Sequence, residues 1–135
     1  MLKRDYILRI IQELFAAIDK LLHGDTRQLT ERQHDLESMY TMLGHDAQFF
    51  RSSTKEEILE TLTVFREDYV QRVEMLAEIM YADAQLFIGN YEVRREIIAK
   101  SLELYTYVDE HSDEFSITRV QRIDELQKML AKYQY

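Results

Sequence analysis

The chain of 135 residues contains no cysteine, no proline and no tryptophan, and only three glycines. Without cysteine there is no disulfide, no thiolate zinc site and no thiol chemistry. Without proline the commonest helix breaker is missing. Three isolated glycines, Gly24, Gly44 and Gly89, cannot form a phosphate-cradling loop. Positive charge is scarce: 17 Lys and Arg stand against 25 Asp and Glu, a net charge of −8. That balance argues against a nucleic-acid partner, because phosphate binding needs a basic surface. No apolar run approaches the ~20 residues of a membrane span. Lys3 and Arg4 resemble the basic start of a signal peptide, but Arg9, Glu13 and Asp19 interrupt the apolar stretch after them and no small-residue cleavage site appears. The expected location is therefore cytoplasmic, with no membrane partner.

What is present is helical patterning. Hydrophobic residues make up 46% and charged residues 31% of the chain, as in a soluble globule. The length suits a single domain, 1–135, burying roughly 65–70% of its unfolded surface. Asp5 is a good N-cap for a first helix reaching His23, with Gly24 as a left-handed stop. The apolar set of that helix sweeps an arc of about 200°, wider than an ordinary surface stripe. A second helix is expected from Thr30, with Thr30 and Gln33 as a capping box, to just before Gly44. The link 45–52 should tuck Phe49 and Phe50 inward. Ser53 and Glu56 predict a capping box opening a third helix through about Phe65. A fourth helix, about Glu67 to Ile88, either continues the third or stands apart from it, and ends at a Gly89-Asn90 turn. A fifth runs from Tyr91 to about Glu110. Ser116 caps a sixth, reaching Ala131, with Phe115 and Val120 placed as a hydrophobic staple. No run alternates strictly enough to argue for a strand. The expected fold is all-α: about six helices in antiparallel hairpins.

A shift of 65 residues superposes Gly24 on Gly89, Tyr40 on Tyr105, Phe50 on Phe115 and Ile58 on Ile123. The halves would be about 1–65 and 66–135. Residues Met75 to Val108 resemble one tetratricopeptide repeat. Ala82 falls at a small position of its first helix, Gly89 and Tyr91 at its turn, and Ile98, Ser101 and Leu102 at the apolar and small positions of its second helix. Arg94 stands where that motif has alanine, and Thr106 where it closes with proline. The opening KRDYILRIIQEL is similar to the start of a family of small bacterial helical proteins of unknown function. That resemblance implies such a helix joined to repeat-like hairpins, and no activity.

Several clusters bear on chemistry. Glu31 and His34 have the Glu-x-x-His spacing of di-iron bundles, but no second copy is present, and Glu74 with Glu78 does not complete the set. His34-Asp35 and His45-Asp46 match the His-Asp pairs of helical metal phosphohydrolases, with His23 and Asp109 as further ligands. A small metal-dependent hydrolase is thus the alternative function. Glu103, Asp109, Glu110, Asp113 and Glu114 form an acidic run with no Lys or Arg between Ser101 and Thr118. It reads as a solvated loop, a weak cation site or a docking patch for a basic partner. Nine tyrosines sit mostly at core spacing, with Tyr107 on a polar side and Tyr133 and Tyr135 in the tail.

The leading expectation is a non-enzymatic protein that binds another protein or itself, with no cofactor. The broad apolar girdle of the first helix motivates it. The residues expected at a self-associating face are Ile7, Leu14 and Ile18, flanked by Tyr6 and Phe15, with Tyr107 as a further surface candidate. Such a patch would suit a homodimer of about 800 Å² per partner.

Overall fold

A computed structural model describes the backbone of residues 2–133 and the side chains from Asp5 onward. Tyr135 lies outside the described residues, as do the side chains of Lys3 and Arg4. The helices are α1 (Leu2–Asp19), α2 (Leu29–Met39), α3 (Ala47–Ser52), α4 (Lys55–Leu62), α5 (Tyr69–Leu86), α6 (Tyr91–His111) and α7 (Ile117–Ala131). A π-helical turn, Lys20–Gly24, continues α1. Short 3₁₀ segments, Tyr40–Leu43 and Thr63–Asp68, come after α2 and α4. No strand occurs among the described residues. The all-α expectation of about six helices holds, with α3 as a short extra helix in place of the expected link.

Helix α5 is the axis of the fold. From Met75 to Ala84 every side chain is buried. A helix covered on all sides must have neighbours all round. Helix α6 packs most extensively on it, α1, α2 and α4 pack on it elsewhere, and α7 lies on α6. The core runs through the whole chain, from Ile7 to Leu126. Ser101 of α6 donates to the Ala77 carbonyl of α5 at 2.8 Å, so the two helices meet closely there.

Local chemistry sets most starts. Asp46 accepts from the Phe49 amide and begins α3. Thr54 and Glu57 form a reciprocal capping box for α4. Asn90 accepts from the Glu92 and Val93 amides and begins α6. Ser116 accepts from the Arg119 amide and begins α7. Gly44 ends the 3₁₀ turn with φ 96°, and Gly89 turns the chain into α6 with φ 151°.

Several boundaries differ from expectation, each for an identifiable reason. Helix α1 begins at Leu2, so Asp5 lies inside its first turn rather than at its cap. Gly24 is not left-handed. The carbonyls at that end are taken instead by the Arg32 guanidinium, which donates to Leu21 at 2.6 and 2.9 Å. Gln28, not Thr30, precedes α2, and no side chain caps it. The capping box falls on Thr54 and Glu57 rather than Ser53 and Glu56, because the Ser53 hydroxyl donates to the Phe49 carbonyl and closes α3. Helices α4 and α5 are not continuous, since Arg66 breaks the path with φ 54° and ψ −114°. The expected staple of Phe115 and Val120 leaves both side chains exposed.

Candidate interaction groove

The polar chemistry of the core is concentrated on α5. Glu78 and Asp83 are both wholly buried. Five residues apart on a helix, they point roughly 140° away from each other. Each is met by one tyrosine and one arginine. Asp83 accepts from the Tyr40 hydroxyl and from Nε and Nη2 of Arg51, both at 2.8 Å. Glu78 accepts from the Tyr105 hydroxyl and from Nε and Nη2 of Arg122 at 2.9 and 3.0 Å. Bidentate pairing supplies the geometry that buried charge requires. Burial, and then the adjoining carboxylate, push the Tyr40 and Tyr105 phenols well above their usual range. The Arg51 guanidinium also lies 5.1 Å from the Phe87 ring centre, and that of Arg122 lies 4.2 Å from the Tyr81 ring centre. These saturated groups hold the fold and offer no open site for chemistry. The one sequence trace of them is that Glu78 and Asp83 interrupt the stretch from Met75 to Ala84, whose other eight residues are apolar.

A groove of about 330 Å³ opens between α1, α5 and the link from α6 to α7. Leu8 and Ile11 of α1 and Val70 of α5 line it with apolar surface. Four carboxylates, Glu67, Glu74, Asp113 and Glu114, border it against one guanidinium, that of Arg119. Arg119 is almost fully buried and already engaged. It bonds Glu74 at 3.2 Å and the Glu114 carbonyl at 3.0 Å, and lies 3.6 Å from Asp109. It thereby pins the acidic link to α5. Gln71 also lines the groove, and its Oε1 is buried without a hydrogen-bond donor. At the mouth stands Phe115, 80% exposed, with Ile117 at 64% and Val120 at 46% next along α7.

The expected site residues are scattered by the fold. Ile7, Leu14 and Ile18 are buried in the chain's own core, so they offer no outward face for a second copy. The physical reason is that α1 turns this stripe onto α5. Phe15 is half-buried and Tyr6 is 55% exposed. Tyr107 is half-buried, with its hydroxyl 3.1 Å from that of Tyr69 and its ring stacked on His111 at 3.9 Å. The residues of the hydrolase reading are separately occupied. Asp35 accepts from Arg27 at 2.6 Å, His45 stacks on Phe49 at 3.9 Å, and Asp46 caps α3. His34 is exposed, His23 lies 3.9 Å from Asp19, and Asp109 faces Arg119. Glu74 and Glu78, considered as a metal pair, are each bound by an arginine. Among the described residues no three His, Asp or Glu side chains are grouped to hold a metal ion. No helix there is long and apolar enough to cross a membrane. Of the acidic run, the fold brings Asp113 and Glu114 to this groove; Glu31, His34 and Asp35 line a second, shallower one with Arg27, and His34 and Asp46 a third.

No family model matches the sequence, and no curated protein or solved structure matches the chain.

Proposed function

We propose that this protein is non-enzymatic and acts by binding another protein through the face where α7 begins. The observation that carries the reading is Phe115, Ile117 and Val120, three large apolar side chains left in water where α7 begins, the first of them lining a groove. Clustered exposed apolar surface marks interaction sites, whereas scattered residues do not. Ile117 and Val120 are three apart and share one helix face. A second copy paired symmetrically across this face would set one acidic border against another, which favours a different partner.

We read α5 and α6 as a tetratricopeptide-like hairpin with α7 as its cap. The close approach at Ser101, the buried Ala82 and the positive φ of Gly89 support this. Arg94, in place of the motif's alanine, reaches back to the Ala84 carbonyl at 2.6 Å and to the Tyr133 hydroxyl at 2.8 Å. It closes the C-terminal end of α5 and ties it to the chain after α7.

The test compares proteins retained from the native cell by the wild-type chain and by the variant Phe115→Ser with Ile117→Ser. Both side chains are exposed, so the variant should melt as the wild type does, within about 0.5 kcal/mol. A specific protein retained by the wild type and lost by the variant is the expected result. Identical retained sets would overturn the reading.

A further inference from the structure

We propose that Arg66 is a hinge through which two copies of this chain exchange their first halves, α1–α4 of each packing on α5–α7 of the other. This goes beyond the binding face at α7 and does not depend on it.

Nothing in the sequence between Gly44 and Gly89 demands a break, for the stretch holds no glycine and no proline. Within Thr63–Asp68 one residue leaves the helical region, Arg66, with φ 54° and ψ −114°. Leu62 before the link and Tyr69 after it are both right-handed. A positive φ crowds the Cβ of any residue but glycine, so the bend is strained at this point. The bend carries a second cost. The Phe65 ring packs on the Arg72 guanidinium at 4.6 Å, and Nε of Arg72 is buried without an acceptor. In a straight helix residues seven apart lie about 10 Å from each other along the axis, so this contact exists only in the bent form.

What holds the bend is the set of contacts that cross it. Tyr40 and Arg51 meet Asp83, and Lys100 donates to the carbonyls of Phe50 and Arg51. Helices α1, α2 and α4 pack on α5. If Arg66 takes helical angles, α4 and α5 join in one rod from Lys55 to Leu86, about 48 Å long. The two halves then hang from opposite ends, and one chain cannot keep the contacts between them. Two chains can, because each first half finds the same partners on the other copy. Such an exchange preserves the contacts one for one and leaves the hinge as the difference. Relief at the hinge favours the exchanged dimer, and the freedom lost on association opposes it, so concentration decides.

The experiment refolds the wild type, Arg66→Gly and Arg66→Val from urea at micromolar and at millimolar concentration. Size exclusion with light scattering then separates monomer from dimer. Glycine accepts the bend and weakens the rod, whereas a β-branched residue resists a positive φ. The dimerisation constant should fall at least about tenfold with Arg66→Gly and rise as much with Arg66→Val, since each dimer straightens two hinges. Exchange is told from surface pairing by cross-linking. Lys55 of α4 and Lys100 of α6 line one groove from opposite sides of the hinge in sequence. An equal mixture of unlabelled and ¹⁵N-labelled wild-type chain is refolded together, and its dimer is treated with a lysine-reactive cross-linker. Half of the Lys55–Lys100 pairs should then be of mixed isotope, while the monomer gives none.

Monomer alone at millimolar concentration, Arg66→Val included, would overturn the hinge. So would a dimer yield indifferent to the residue at 66, or unmixed Lys55–Lys100 pairs in the dimer. Should Arg66→Val lose its helical circular dichroism, the wild type against Arg66→Gly and the isotope pairs still decide.

Discussion

Replacing Arg51 by methionine should remove a large part of the stability of the fold. Asp83 would then sit in the core with the Tyr40 hydroxyl alone in place of three donors. Breaking a buried pair from one side costs about 3–5 kcal/mol, because the remaining charge is left uncompensated. The other carboxylate on Arg51, Glu37, is 37% exposed, so that arm adds about 0–1 kcal/mol. The stacking on Phe87 adds about 0.5–1 kcal/mol. Against the roughly 5–15 kcal/mol of a typical domain, the Asp83 arm alone is a large fraction. The assay is urea denaturation monitored by circular dichroism, with the slope checked for constancy between proteins. A companion variant, Arg51→Met with Asp83→Leu and Tyr40→Phe, removes the whole polar group and should recover most of the loss, since apolar replacements of buried ion pairs are often neutral or better. A loss below about 1 kcal/mol for Arg51→Met, or no recovery in the companion, would show that the charge is not buried as described.

Raised phenol pKa values imply alkaline sensitivity. Tyr40 and Tyr105 are pushed well above the usual value by burial, and Tyr81 to about 12. The folded state therefore holds phenolic protons that the unfolded chain releases above about pH 10, so the phenols' contribution to stability is constant below that pH and is lost as the pH rises above it. Urea midpoints across the alkaline range, with phenolate absorbance, check this; unchanged midpoints above pH ~10 would contradict it. Arg66 is exposed and holds φ 54°, so Arg66→Gly should stabilise by about 1 kcal/mol in the same assay, and a loss would show that its side chain matters more than its backbone. Gly44→Ala and Gly89→Ala should differ. A Cβ at Gly44 meets nothing within 4 Å, whereas at Gly89 it lies 3.1 Å from the Phe87 ring. Both have positive φ, so Gly44→Ala should cost about 1 kcal/mol and Gly89→Ala more, as thermal melts would show.

Helix starts were legible wherever a short polar side chain had no competing use, as at Asn90 and Ser116. Ser53 and Thr54 both satisfy the capping-box spacing, and local pattern cannot choose between them. The choice is made by the Phe49 carbonyl, which takes the Ser53 hydroxyl. The broad apolar girdle of α1 does need cover, but Ile7, Leu14 and Ile18 find it in their own chain. The clamps on Glu78 and Asp83 were not legible, because their arginines lie 44 and 32 residues away in sequence. For the groove, the acidic run could be seen in advance. The partners of the run could not, since Leu8, Val70 and Gln71 join it only through folding.

A chain with so little glycine and no proline must finish its helices by other means. The ends of α1 and α5 are closed by borrowed cations: Arg32 on Leu21 and Arg94 on Ala84. Where glycine lets a helix stop by its own local conformation, these helices stop only once another segment has arrived. Punctuation and assembly are thus one event, and a fragment lacking the donor segment should fray at the end that donor would have sealed.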